Sequence, residues 1–219
     1  MSNRFAPPLD SLLALLAMLV ISVFASTASA QQYAEVVRAN QSLANKVCVT
    51  CHGGNGKGNP VVGGPRLAEI EPWYLRNQLI GFRAEYRGTQ EDYIPGHEMQ
   101  ASVARLSDRE IDEVVSTIVT WQGEENDPTI TGNANRGSEL YQGCAACHGV
   151  NGQGNQALAA PGLTRKDDWY LFRQLKLFQS GYRGAHPDDL YGQSMRAGIA
   201  NIGTEKDIND VLAYINTLD

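Results

Sequence analysis

Cys48-Val49-Thr50-Cys51-His52 and Cys144-Ala145-Ala146-Cys147-His148 hold every cysteine of the 219-residue chain, at an offset of 96 residues. The spacing C-x-x-C-H is that of covalent haem attachment. One thiol adds to each vinyl group of the porphyrin, and the histidine that follows is placed beneath the ring, where its imidazole reaches iron. Cys48, Cys51, Cys144 and Cys147 are therefore expected to bind two haem c groups, with His52 and His148 as iron ligands. Other uses of paired cysteines fit less well. A disulfide framework does not account for a histidine after each pair. A thioredoxin-like redox site needs a surrounding βαβ pattern, and the chain shows no strand alternation. A four-cysteine zinc site would leave both histidines unexplained.

The duplication also points to the ligands on the far side of each haem. Beyond residue 30 the methionines are Met99 and Met195, each 47 residues after its histidine. A thioether opposite an imidazole saturates the iron and raises its reduction potential, which suits electron transfer. The competing role for a methionine is gap-filling in a core, but one methionine at the same position of each copy favours ligation. His97 is the alternative ligand for the first iron. Its counterpart in the second copy is Gln193, which cannot take that role, so Met99 is preferred.

The elements that must position these groups are duplicated as well. Overlaying residue n on n+96 matches Gly53, Asn55, Gly56 and Gly58 with Gly149, Asn151, Gly152 and Gly154. It matches Pro65 with Pro161, Trp73-Tyr74-Leu75 with Trp169-Tyr170-Leu171, and Gln78, Tyr86 and Arg87 with Gln174, Tyr182 and Arg183. Leu75, Leu79, Phe82 and Tyr86 share one face of a helix, and Leu171, Leu175, Phe178 and Tyr182 repeat that face. Pro72 suits the first turn of the first of these helices, and Asp167 or Asp168 caps the second. Ser107 to Glu110 reads as a capping box for a closing helix with Ile111, Val114, Val115 and Ile118 inward. Thr204 opens its counterpart, with Ile208, Val211, Leu212, Ile215 and Leu218 inward. The glycine-rich stretches 53–64 and 149–157 read as loops. Polar residues with Pro and Gly and no apolar periodicity mark 122–134 as a linker.

Residues 1–30 have the form of a cleaved secretory signal, with Arg4, a 14-residue apolar run from Leu12 to Ala25, and Ala28-Ser29-Ala30 before Gln31. That run is short of the ~20 residues of a spanning helix, and an uncleaved anchor is the alternative. The net charge of −6 includes no basic stripe, so nucleic acid is not an expected partner. A short chain such as this gains apolar core from a buried porphyrin.

On the two C-x-x-C-H sites, the Gly-Asn-Gly-Lys-Gly run at 54–58, its counterpart at 149–154, Tyr-Leu-x-x-Gln-Leu-x-x-Phe at 74–82 and 170–178, and the single methionines, the chain after residue 30 resembles the dihaem class I cytochromes c, most closely the cytochrome c4 family. The resemblance implies an all-α protein of two tandem class I cytochrome c domains, at 31–121 and 135–219, each a small helical fold around one covalent haem. It implies that the carbonyls of Pro65 and Pro161 accept the N–H of His52 and His148, which orients each ring and raises its basicity. It places Arg87 and Arg183 near haem propionates, with plain surface arginines as the alternative. Trp73 and Trp169 are expected to serve packing. Asp167-Asp168-Trp169 departs from the family pattern and is expected to affect only the surface.

The function implied is that of a periplasmic carrier of single electrons between respiratory redox proteins, such as a quinol-oxidising complex and a terminal oxidase or dehydrogenase. Any association with a membrane would run through those partners. The alternative is a fixed cytochrome subunit of a larger dehydrogenase or oxidase. A dihaem peroxidase would need an iron with a free or displaceable position, whereas this chain offers a methionine to each haem.

Overall fold

The computed structural model describes residues 42–218, and the expected signal at 1–30 lies outside them. Among the described residues the only extended pairings are the isolated bridges Asn59 to Gly64 and Asn155 to Ala160. The rest is helices and loops, and no described helix is long and apolar enough to cross a membrane.

Each half repeats the same order. In the first, a π-helical turn (Ala44–Cys48) runs into α1 (Val49–His52), followed by α2 (Pro72–Arg83), α3 (Ile94–Val103) and α4 (Asp108–Ile118). In the second, α5 (Ala134–His148), α6 (Asp168–Ser180), α7 (Leu190–Gly198) and α8 (Glu205–Ile215) follow. The closing helices begin as their sequences predict. Ser107 Oγ accepts from the Glu110 N–H at 3.3 Å, and Glu110 accepts from the Ser107 N–H at 2.8 Å. Thr204 and Asp207 repeat this at 3.1 and 2.9 Å. Ile111, Val114, Val115 and Ile118 are buried in one core, and Ile208, Val211, Leu212 and Ile215 in the other. Leu218 lies past the end of α8 and packs against the second core only in part.

Leu75, Leu79 and Phe82 are buried on one face of α2, which starts with Pro72 in its first turn. Tyr86, predicted on that face, lies beyond the helix. Glu85 takes a left-handed conformation with φ 62°, which ends α2, and the Tyr86 N–H closes the last turn on Gly81 O at 2.8 Å. Gly181, with φ 78°, ends α6 in the same place and leaves Tyr182 outside. Helix α3 carries no regular apolar period, and α7 is only nine residues long, too short for periodicity alone to reveal it. At the crossing of α5 and α8 the backbones touch: a Cβ on Gly137 would sit 1.9 Å from Asp210 O.

Candidate functional site

Helices α1 and α5 each end on the histidine of their C-x-x-C-H segment, and a glycine of positive φ (77° at Gly53, 80° at Gly149) turns the chain away. The loop then folds back so that a proline carbonyl meets the ring. His52 Nδ1 lies 2.8 Å from Pro65 O, and His148 Nδ1 lies 2.7 Å from Pro161 O. A carbonyl only accepts, so Nδ1 is the protonated nitrogen and Nε2 carries the lone pair that a metal requires. Both rings are buried. Burial pushes each histidine down, against the proline hydrogen bond and, for His148, the nearby charge of Glu71. Each ring is thereby kept neutral, the form that binds iron.

Cys51 and Cys147 are exposed and Cys48 and Cys144 half-buried, with no disulfide among them. Burial pushes the thiols of Cys48 and Cys144 up. Met99, half-buried on α3, packs against the first core, as does Cys48. Met195 is half-buried at the matching place on α7. His97, two residues before Met99, is exposed.

Arg87 and Arg183 are not surface arginines. They are buried where the two halves meet, at 7% and 9% exposure. Each guanidinium lies over the phenylalanine of its own half, Phe82 at 4.2 Å and Phe178 at 4.3 Å. Arg87 donates to Gln78 and, at 2.9 Å, to Gln174 across the seam. Arg183 donates to Gln174 at 2.8 Å and to Gln78 at 3.0 Å. Tyr74 and Tyr170 add hydroxyls to the same cluster. Burial, and then the neighbouring Arg183, pull the Arg87 guanidinium down. Among the described residues the hydrogen-bond partners of both arginines are neutral, so two buried positive charges face the seam without a carboxylate. The two acidic propionates that a haem carries would match such charges, and two free Nε2 atoms beside paired thiols match its iron and vinyl groups. The residues fit the group that the motifs predict.

The Asp167-Asp168 stretch also differs from its expected surface role, since both side chains are buried, at 6% and 3% exposure. Asp168 Oδ2 accepts from the N–H groups of Thr129 and Ile130 at 2.7 Å each and from Asn216 Nδ2 at 3.1 Å, while Oδ1 accepts from the Thr129 hydroxyl at 2.7 Å. Burial pulls the Asp168 carboxyl up, but these donors outweigh it and hold the group below its ordinary value. Asp167 stands at the start of α6 without capping it. Its Oδ2 instead accepts from the Arg66 N–H at 2.8 Å, and its Oδ1 from Asn126 of the linker at 2.7 Å. Trp73 and Trp169 are half-buried beside Tyr74 and Tyr170 and belong to neither buried core. Sequence reasoning assigned no role to Glu71, Arg66, Gln78, Gln174 or Asn126. The recurrence of the glutamines at the 96-residue offset was the one available signal.

The model of the cytochrome c family matches residues 36–121 and again 134–219. The chain is 34% identical over 196 residues to the thiosulfate dehydrogenase electron acceptor of Stutzerimonas stutzeri, covering 84% of this chain and 86% of that protein. It is 28% identical to cytochrome c4 of Azotobacter vinelandii, over 78% of this chain and 84% of the relative. The crystal structure of reduced cytochrome c4 from Pseudomonas stutzeri superposes with a TM-score of 0.60 at 28% identity, covering 79% of this chain and 94% of that one. Two C-x-x-C-H sites in two matched domains correspond to two covalent haem c groups. With its motifs, its helical architecture and both halves in agreement, the chain belongs to the cytochrome c family as a tandem, dihaem electron-transfer protein.

Proposed function

We propose that this protein is a periplasmic one-electron carrier in which His52 and Met99 ligate the first haem iron and His148 and Met195 the second. The observation that carries the reading is the repeated pair of histidine–proline hydrogen bonds, each with a methionine at the same place on the helix before the closing one. Cys48, Cys51, Cys144 and Cys147 hold the porphyrins, within domains at 31–121 and 135–219 joined by 122–134. Haem supplies a one-electron iron couple when bound. The protein's contribution is to fix Nε2 of each histidine, to present a thioether opposite it, and to keep the site closed to other ligands. Arg87 and Arg183 offset propionate charge at the seam. The apolar leader at 1–30 supports export.

A saturated iron has no position for peroxide or carbon monoxide, so the carrier role is favoured over catalysis. The relatives named as a thiosulfate dehydrogenase electron acceptor and as subunits of cbb3-type oxidases support redox proteins as partners. They also support a second reading, in which the chain works as the cytochrome partner of a dehydrogenase.

Met99→Ala and Met195→Ala test the ligation. The native reduced protein is expected to bind carbon monoxide slowly, and each variant to bind it rapidly at one haem only. Rapid binding by the native protein would overturn the carrier reading, and unchanged ligation in Met99→Ala would transfer the role to His97.

A further inference from the structure

The carbonyl of Pro65 and the N–H of Arg66 belong to one peptide group, as do the carbonyl of Pro161 and the N–H of Gly162. In each case the carbonyl faces the histidine of its own half, and the N–H faces a carboxylate of the other half. Arg66 N donates to Asp167 Oδ2 at 2.8 Å, and Gly162 N donates to Glu71 Oε1 at 2.6 Å. Glu71 and Asp167 stand at the same repeat position, immediately before α2 and α6. Two chains of hydrogen bonds therefore cross the seam in opposite directions. One runs from His52 through the Pro65–Arg66 peptide to Asp167, and the other from His148 through the Pro161–Gly162 peptide to Glu71.

We propose that Glu71 and Asp167 are crossed redox-positioning residues: the carboxylate of each domain sets the electron density on the iron-ligating histidine of the other. The inference rests on the ligation by His52 and His148 proposed above. A carboxylate that accepts from a peptide N–H polarises the peptide and makes its carbonyl a stronger acceptor, because hydrogen bonds in a chain reinforce one another. A stronger acceptor at Nδ1 makes the imidazole more basic at Nε2. A more basic ligand, next to a negative charge in a low-dielectric seam, favours ferric over ferrous iron. Each carboxylate thus lowers the potential of the haem in the other domain.

The two ends are not equivalent. Both oxygens of Asp167 are hydrogen-bonded, to Arg66 N and to Asn126 Nδ2 at 2.7 Å. Glu71 Oε2 is buried without a hydrogen-bond partner among the described residues, and its nearest cation is Lys166 Nζ at 3.8 Å. The Glu71 carboxylate thus has a cation beside it, whereas the hydrogen-bond donors to Asp167 are neutral groups. Space at these contacts is also restricted. A Cβ on Gly162 would lie 2.8 Å from Glu71 Oε1, and one on Gly58 would lie 2.9 Å from Asp167 Oδ2.

The test uses the full-length dihaem protein with Glu71→Gln and Asp167→Asn, which keep an acceptor and remove the charge. Glu69→Gln, a change to a half-exposed carboxylate two residues from Glu71, controls for general charge loss. The potential of each haem is read by spectroelectrochemistry, with haems assigned through the hyperfine-shifted proton resonances of the two histidines. Glu71→Gln is expected to raise the potential of the second haem and move the His148 Nδ1–H resonance, leaving the first haem in place. Asp167→Asn is expected to raise the potential of the first haem and leave the second in place. An unchanged second haem in Glu71→Gln, or equal shifts of both haems like those of Glu69→Gln, overturns the proposal. Low-spin, six-coordinate spectra in the same samples separate either result from a failure of the ligation itself. Should Asp167→Asn loosen the seam, Glu71→Gln decides alone.

Discussion

The two halves carry the same cytochrome c pattern, yet they differ at the start of the helix that follows the haem loop. The first half opens α2 with Glu71-Pro72, and the second opens α6 with Asp167-Asp168. Pro72 is a local device that presets the helical φ and gives up an N–H that had no partner in any case. Asp168 acts at longer range, binding Thr129, Ile130 and Asn216 and so tying the linker and the end of α8 to α6. The duplicated unit keeps its C-x-x-C-H segments, prolines and methionines in both copies and diverges at this helix start, where the second copy holds the linker. The linker reaches the second copy in this way, and there an aspartate replaces the proline.

That contrast is open to direct tests. Asp168→Ala leaves three backbone N–H groups, the Thr129 hydroxyl and the Asn216 amide without their acceptor, and it should cost about 3 kcal/mol of stability. Pro72→Ala, at the matching position, should cost less than about 1 kcal/mol through unfolded-chain entropy. Chemical denaturation of both variants measures the difference, and equal losses would remove the distinction between the copies.

The glycines after the haem turns sharpen the comparison. Gly56 and Gly152 share a φ of 67°, so alanine pays the left-handed strain at either site, about 1 kcal/mol. The surroundings differ. A Cβ on Gly56 would meet the ring of Trp121 at 2.6 Å, whereas one on Gly152 would meet the methyl ends of Thr164 and Leu218 at 3.2 and 3.4 Å. Trp121 is fixed in the first core, with its indole N–H on Asn45 at 3.0 Å. Gly56→Ala should therefore cost roughly 2–3 kcal/mol, against about 1 kcal/mol for Gly152→Ala, again by denaturation.

The smallest expected effect concerns acid. Both capping boxes place a carboxylate under donors, and both carboxylates are held below their ordinary values. Glu110 has the Ser107 hydroxyl and N–H. Asp207, held down to about 2, has the Thr204 hydroxyl and also Arg136. A carboxylate whose folded pKa is depressed adds stability that is complete above its unfolded value and is lost as pH falls through the folded one. The Asp207 contribution should disappear between about pH 4 and pH 2. Thermal unfolding against pH should show a flatter acid limb in Asp207→Asn, with Glu110→Gln flattening it less.

Much of the site was legible because covalent haem attachment needs adjacent groups in one short segment. The C-x-x-C-H segments, the 96-residue repeat, the capping boxes at Ser107 and Thr204, and the buried faces of α4 and α8 all rest on local spacing. Helix α3 escaped notice because its apolar positions follow no period, and α7 because nine residues are too short a window, although register alone singled out the methionine that each carries. The tertiary structure decided the rest. Whether Arg87 faces water or Gln174, whether Asp167 caps its own helix or binds Arg66, and which carboxylate lies behind which histidine all depend on how two similar surfaces meet. Sequence by itself determined the chemistry within each half, since those contacts are set by bonds and helical turns. Only the folded chain determined the chemistry between the halves, because partners such as Glu71 and Gly162, 91 residues apart, are brought together by packing and by nothing in their local sequence.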